Sequence, residues 1–325
     1  MSGSGKSHKQ NMHPGRTVLL LALLLVSVSA ASALAGRYPL HMEDIWTVIL
    51  NIRLPRIVMA CLAGCALSAA GAAYQGVFQN PMAAPDILGA TQGAAFGAAL
   101  AILLGRTGSV VTAFSFTGSL FAVALVWYIG RKTSGKRVLG LILTGIMVGS
   151  IFAAGTSFLK LVADPSDQLP AITYWLMGSL VGVGKNDVLP AALPILLGLF
   201  PLLIFRWHIN VMTLGDEVAH SLGVDADRMR KIIVLSSTLV TAATVSATGM
   251  IGWVGLVVPH LARRLIGNDY RTLMPGSMLL GALFLLLVDD IARSALSREI
   301  PIGILTAFIG APFFLYLITK GGEKY

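Results

Sequence analysis

Residues 3–7 read Gly-Ser-Gly-Lys-Ser, the closing part of a phosphate-binding loop. The chemistry there would be nucleotide hydrolysis. A complete loop, G-x-x-x-x-G-K-[ST], follows a buried strand and opens a helix, so that successive backbone N–H groups curl around phosphate. Gly5, Lys6 and Ser7 fit its last three positions, but counting from Met1 leaves no place for the leading glycine or the strand. A terminal Gly/Ser/Lys string of this kind is expected to be flexible chain. Cys61 and Cys65 are spaced C-x-x-x-C inside an apolar run, which is neither a redox C-x-x-C nor a zinc pattern. They read as small packing residues. His41, His208, His220 and His260 are isolated, and neither H-E-x-x-H nor G-x-S-x-G occurs. For His260, in VVPHLARR, a structural hydrogen bond is expected rather than metal ligation, because no His, Cys or carboxylate lies near it in sequence. No metal site and no catalytic residue is predicted.

The elements that would position any such group are membrane helices. Of 325 residues, 55% are hydrophobic and 12% charged, against roughly 25% charged in soluble domains. Apolar stretches lie near residues 17–35, 55–78, 88–104, 109–130, 138–162, 187–205, 231–248, 251–266, 274–290 and 301–319. About ten transmembrane helices of about 20 residues are therefore predicted, the third and eighth short or irregular. The fold class is all-α and polytopic. A formal net charge of +9 raises nucleic acid as a partner. Its distribution argues otherwise: alternating sides from a cytoplasmic N-terminus leaves about two-thirds of the Lys and Arg residues on the cytoplasmic side, and they form no basic stripe. Both termini are then cytoplasmic. The first stretch has a basic approach, a short apolar core and the string ASALAG, features of a cleaved secretory signal. With many spans behind it, retention as the first helix is the expectation.

Small and helix-breaking residues carry more information than the reactive ones. The fifth span has Gly145, Gly149, Ala153 and Ser157 at strict four-residue spacing, one smooth face. That face either packs a partner helix, as small residues do in lipid, or borders a pathway that bulky chains would block. Asn80-Pro81, Pro85, Gly89, Gly252, Gly255 and Pro259 interrupt the membrane runs. Broken backbone at membrane depth survives only where it is buried in protein or faces a water-filled cavity, which points to transport. Interruptions after both the second and the seventh span suit an inverted repeat of spans two to five and seven to ten.

The most informative polar stretch is LGDEVAHSLGVDADRMRK, residues 214–231. Asp216 is expected to cap a short helix running to Ser221, Gly223 to end it, and Asp225 to cap a second helix leading into the seventh span. Two short helices on a cytoplasmic loop make a rigid knob, a docking surface for a soluble partner.

The motifs IRLPRIVMACLAGCALSAAGAAYQGVFQNPMAAPDILG, YWLMGSL, LGDEVAHSLGV, GMIGWVGLVVPHLARRLIGNDYR and REIPIGILTAFIGAPFF occur in this order between residues 52 and 318. In them the chain resembles the FecCD family, the permease subunits of type II ABC importers for iron-siderophores, haem and vitamin B12. The resemblance implies the ABC importer permease fold of vitamin B12 uptake: a homodimer of ten-helix subunits in the prokaryotic inner membrane, with one translocation path at the dimer axis. It divides the chain into an N-terminal tail (1–16), one permease domain (17–320) and a C-terminal tail (321–325). By the resemblance, Gly145, Gly149, Ala153 and Ser157 line the path, and Asn80 and Met82 of QNPMAAP form a cytoplasmic gate, with Met in place of the usual Leu. Within the coupling region 214–230, Leu214, Gly215, Asp216, Glu217, Ala219, Leu222 and Gly223 would sit in a cleft of an ATP-binding subunit. Two such subunits, carrying ATP-Mg, would drive the cycle; this chain would bind no cofactor and hydrolyse nothing. Arg53, Arg56 and Arg293 resemble arginines that receive acidic residues of an extracytoplasmic substrate-binding protein, guanidinium being suited to carboxylate. Read as exposed pairs, they would be individually weak and act mainly on docking rate.

The cargo implied is a metal chelate: a ferric siderophore, haem or cobalamin. Molybdate-type oxyanions are the alternative within the family. An ion-coupled secondary transporter is a different class, and it would need carboxylates within the membrane. Asp289 and Asp290, at the outer boundary, are the nearest candidates.

Overall fold

The computed structural model describes residues 14–34, 45–132 and 137–321. The Gly-Ser-Gly-Lys-Ser string and His41 lie outside the described residues. Within them the chain forms fourteen α-helices and no strand: α1 Pro14–Leu34, α2 Ile45–Val48, α3 Leu54–Val77, α4 Ala90–Leu103, α5 Ser109–Gly130, α6 Arg137–Val162, α7 Gln168–Leu176, α8 Lys185–Ile204, α9 Arg206–Met212, α10 Asp216–Ser221, α11 Ala226–Thr248, α12 Val254–Ile266, α13 Tyr270–Ser294 and α14 Ile302–Gly321. A π-helical turn, Ile49–Arg53, joins α2 to α3. Every apolar stretch in the sequence coincides with one helix. The third and eighth, α4 and α12, are 14 and 13 residues long, too short to cross about 30 Å of hydrocarbon alone.

Local chemistry sets the helix starts. Pro55 lies in the first turn of α3, where its missing N–H costs nothing. The Asp225 side chain accepts the Arg228 backbone N–H at the start of α11, and Asp269 accepts that of Arg271 at the start of α13. Both helices therefore begin about one turn earlier than hydropathy places them, because the capped turn is polar.

α3 is the hub. Its Ala- and Gly-rich sequence lets neighbours approach to backbone contact: a Cβ on Gly64 would lie 2.1 Å from the Gly281 carbonyl oxygen of α13, and one on Gly71 1.8 Å from that of Gly255 in α12. Between lipid-soluble helices such van der Waals closeness replaces the hydrophobic drive. The Ser68 hydroxyl adds a 2.7 Å hydrogen bond to the Ser277 carbonyl. α11, equally buried, is rich in Ser and Thr; Thr241, Thr244 and Thr248 return their hydroxyls to the carbonyls four residues back and so need no partner elsewhere.

Two irregular segments interrupt the bundle, 78–89 after α3 and 249–253 after α11, and each is followed by a short helix whose N-cap is left-handed, Gly89 (φ 75°) and Trp253 (φ 70°). They lie at opposite ends. Gln79 donates to the Met212 carbonyl at 3.1 Å, whereas Thr248 accepts the Ser179 N–H at 2.8 Å. Breaks after the second and the seventh span are thus found at opposite ends, while Gly255 and Pro259, expected to interrupt the chain, lie inside α12.

Candidate functional site

At the first of these breaks a groove of about 400 Å³ opens between segment 82–89, α4 and α6. The segment is held by local chemistry: the Asn80 side-chain oxygen accepts the Met82 N–H at 2.9 Å, an Asx turn that leaves Met82 projecting, half exposed, along the groove wall. Asn80 thus shapes the turn while Met82 lines the groove.

The stripe on α6 divides into two roles. A Cβ on Gly145 would stand 2.3 Å from the Ile87 carbonyl oxygen, so this glycine packs the loop against the helix. Gly149 faces Gly89 at ordinary contact distance, while Ala153 and Ser157, on the next turns, are exposed. The stripe therefore packs within this chain at Gly145, while Ala153 and Ser157 leave their face uncovered. Hydropathy did not pick out the other lining residues. Asp86, Gln92, Ile146 and Ser150 share the groove, and among the lining residues Asp86 is the one that ionises. Protein atoms crowd its carboxyl, although the groove leaves it open to solvent, and this burial pushes its pKa up from the ordinary carboxylate value. An acid set in the apolar string MAAPDILG was the available signal.

Segment 206–225 sits at the same end. α10 spans Asp216–Ser221 and Gly223 turns left-handed (φ 80°) beyond it, as expected. Asp216 is not the cap, however. Gly215 (φ 104°) takes that position, and the Asp216 carboxylate instead receives Arg230 at 2.7 and 2.9 Å. The reason is that Arg230, 2% exposed, needs a carboxylate more than an exposed helix start needs a side-chain cap. The second short helix is also different: it is the first turns of α11, and the separate neighbour of α10 is α9. Leu214, Val218 and Leu222 form an exposed apolar ridge, flanked by exposed Glu217. Ala219 is fully buried and anchors the helix from below. Gln79 ties the groove's loop to Met212, at the root of this knob.

Roughly 35 Å away along α3, the predicted surface arginines prove to be neither exposed nor waiting for a partner. Arg53, 5% exposed, donates to the Ala33 and Leu34 carbonyls at 2.8 and 2.9 Å. Arg293 donates to the Ser32 carbonyl at 2.8 Å and pairs with Asp290. Together they satisfy the orphan carbonyls at the C-terminus of α1, where cations are also favoured by the helix dipole. Arg56 forks between Asp289 (2.8 Å) and Glu299 (2.8 Å). Asp289 and Asp290 are therefore committed to arginines, which removes them as ion-coupling carboxylates. His260 is half-buried on α12 and makes no side-chain hydrogen bond among the described residues, so the structural hydrogen bond expected of it is not found. No cluster of three or more His, Cys, Asp or Glu suited to a metal occurs among the described residues.

The sequence matches the FecCD transport family over residues 17–320. It is 38% identical to the molybdate import system permease protein MolB of Haemophilus influenzae, over 93% of this chain and 96% of that one. It is 44% identical to the cobalamin import system permease protein BtuC of Halobacterium salinarum, over 85% and 74% respectively. A solved inward-facing ABC transporter assigned to the metal-chelate type superposes with a TM-score of 0.89 at 38% identity, covering 94% of this chain and 99% of that one.

Proposed function

The chain belongs to the FecCD transport family, and from that premise we propose which cargo it passes and how it is driven. It is the membrane-spanning permease of an ABC importer, not an enzyme; ATP hydrolysis resides in a separate subunit. Our reading is that two copies of this chain enclose one pathway, that each copy carries an ATP-binding cassette subunit on the Leu214–Arg230 knob, and that a substrate-binding protein docks at the end bearing Arg53, Arg56 and Arg293. The knob and both termini then face the cytoplasm of a prokaryotic cell, within one permease domain, 17–320. The cargo is a metal chelate such as a ferric siderophore, haem or cobalamin.

One observation carries this reading. The groove at Met82 and the exposed ridge of α10 lie at the same end and are tied by the Gln79–Met212 hydrogen bond, so a push on the knob reaches the loop that narrows the groove. Asn80 and Met82 act as the gate, and Gly149, Ala153 and Ser157 face the path, with Gly145 holding the gate loop in place. The internal commitment of the three arginines supports docking onto the rigid surface they stabilise rather than onto free guanidinium groups. Likeness to a permease named for molybdate favours a second reading, passage of an oxyanion.

The test is reconstitution. Co-expressed with its ATPase, the chain is expected to co-purify with it, to lose it when residues 214–230 are replaced by a Gly/Ser linker, and to import cargo only in the presence of ATP and binding protein. Sustained uptake by this chain alone in proteoliposomes would overturn the reading.

A further inference from the structure

The groove has a chemical sign. Of its lining residues, Gly89, Gly145, Gly149, Ala84 and Ala153 offer only backbone and methyl surface. The Ser150 hydroxyl is turned away, donating to the Ile146 carbonyl at 2.8 Å. Two polar side chains remain, Asp86 and Gln92. Asp86 brings a carboxylate that no cation pairs among the described residues, and the Gln92 side-chain oxygen is buried without a hydrogen-bond partner. That oxygen lies 4.0 Å from where a Cβ on Gly149 would stand, against the α6 wall, beside the stripe rather than behind it. An unpaired buried acceptor costs free energy that a passing donor can recover. A carboxylate in a narrow, low-dielectric cleft focuses negative potential along it.

We infer that Asp86, the one charged side chain among the groove's lining residues, gives the gate end of the pathway a negative potential that favours the passage of cations over anions. This rests on the pathway reading given above, and of the cargoes named there it disfavours the doubly charged oxyanion, which meets repulsion at Asp86. In a two-copy assembly the charge is doubled, because each copy contributes one Asp86.

The experiment reads the sign directly, without knowing the cargo. In the full complex with its ATPase, with Cys61 and Cys65 changed to Ser, Ser150→Cys places one thiol in the groove. Its modification rate is measured with a positively charged and a negatively charged methanethiosulfonate at low ionic strength, each relative to a free small thiol. The normalised cation-to-anion ratio is expected to be about tenfold, the preference that one full charge a few ångströms from the attacked sulfur sets in water. Asp86→Asn should bring it close to one, and Asp86→Glu should retain it. Should Asp86→Asn perturb assembly, added salt gives the same test without a substitution, collapsing the ratio as the field is screened. A ratio near one with Asp86 in place, or one that neither Asp86→Asn nor salt changes, overturns the inference and leaves the pathway intact. A thiol that neither reagent reaches, with or without nucleotide, overturns both.

Discussion

The substitution Gly145→Ala sets two known effects against each other at one position. Replacing glycine by alanine inside a helix stabilises it by roughly 0.5–1 kcal/mol through lost backbone freedom in the unfolded chain. At Gly145 the new Cβ would lie 2.3 Å from the Ile87 carbonyl oxygen and 3.0 Å from the Leu88 Cα, so either α6 or the gate loop must retreat by about an ångström, an overpacking that costs about 1–3 kcal/mol. Gly149, one turn on, is the internal control: its Cβ would stand 3.6 Å from the Gly89 Cα, an ordinary contact. Helix propensity enters both substitutions equally and cancels in the comparison. The expected outcome is that Gly149→Ala is as stable as the parent or better, and that Gly145→Ala is less stable than Gly149→Ala by about 1–3 kcal/mol. Melting midpoints of the permease–ATPase complex in nanodiscs give the ranking, and uptake assays on the same samples report whether the displaced loop still opens. Equal midpoints, or Gly145→Ala the more stable, would mean that the loop is not seated on α6 and that the role divided along the stripe is mistaken.

Three further outcomes are expected. Arg56→Gln strips the cation from Asp289, which is 1% exposed, and should cost about 3–5 kcal/mol of stability; adding Asp289→Asn should recover much of it, and a double-mutant cycle on melting that shows no coupling would refute the pairing. Asp216→Asn replaces the carboxylate that Arg230 holds at 2.7 and 2.9 Å with a neutral amide while sparing its 3.3 Å contact to Asp227, so stability should fall by about 1–3 kcal/mol and ATPase co-purification should weaken with it; unchanged melting and co-purification would show that the pair does not hold the knob. Gln79→Ala deletes the bond to Met212 and should change stability by no more than about 1 kcal/mol, yet lower the cargo imported per ATP hydrolysed; an unchanged ratio would show that the knob moves the gate by another route.

Features written along one dimension were legible early. Hydropathy over about 20 residues is a local sum, and each stretch it marked coincides with a helix among the described residues, seven of them long and apolar enough to cross a membrane. Caps and breakers are local too: Asp225 starts α11, Gly223 turns the chain after α10, and the interruptions near Pro81–Gly89 and at Gly252 stand where the backbone leaves helical geometry, whereas Gly255 and Pro259 lie inside α12. Segment 214–230 was visible for the same reason, as polar chain between apolar runs.

What the chain determined by itself, then, is a set of helices, their breaks and the family they resemble. Only the tertiary structure decided what the charges do. Arg56 and Asp289 are 233 residues apart in sequence, and nothing local tells an arginine at a helix end whether it will meet solvent, a partner or the C-terminus of another helix. The same holds for Asp86, whose meaning depends on α6 standing opposite, and for Gly145, which packs while Ala153, at the same spacing, is exposed. Side-chain roles in a membrane bundle follow from which helices face one another, and that is set by the sum of many close approaches rather than by any segment alone.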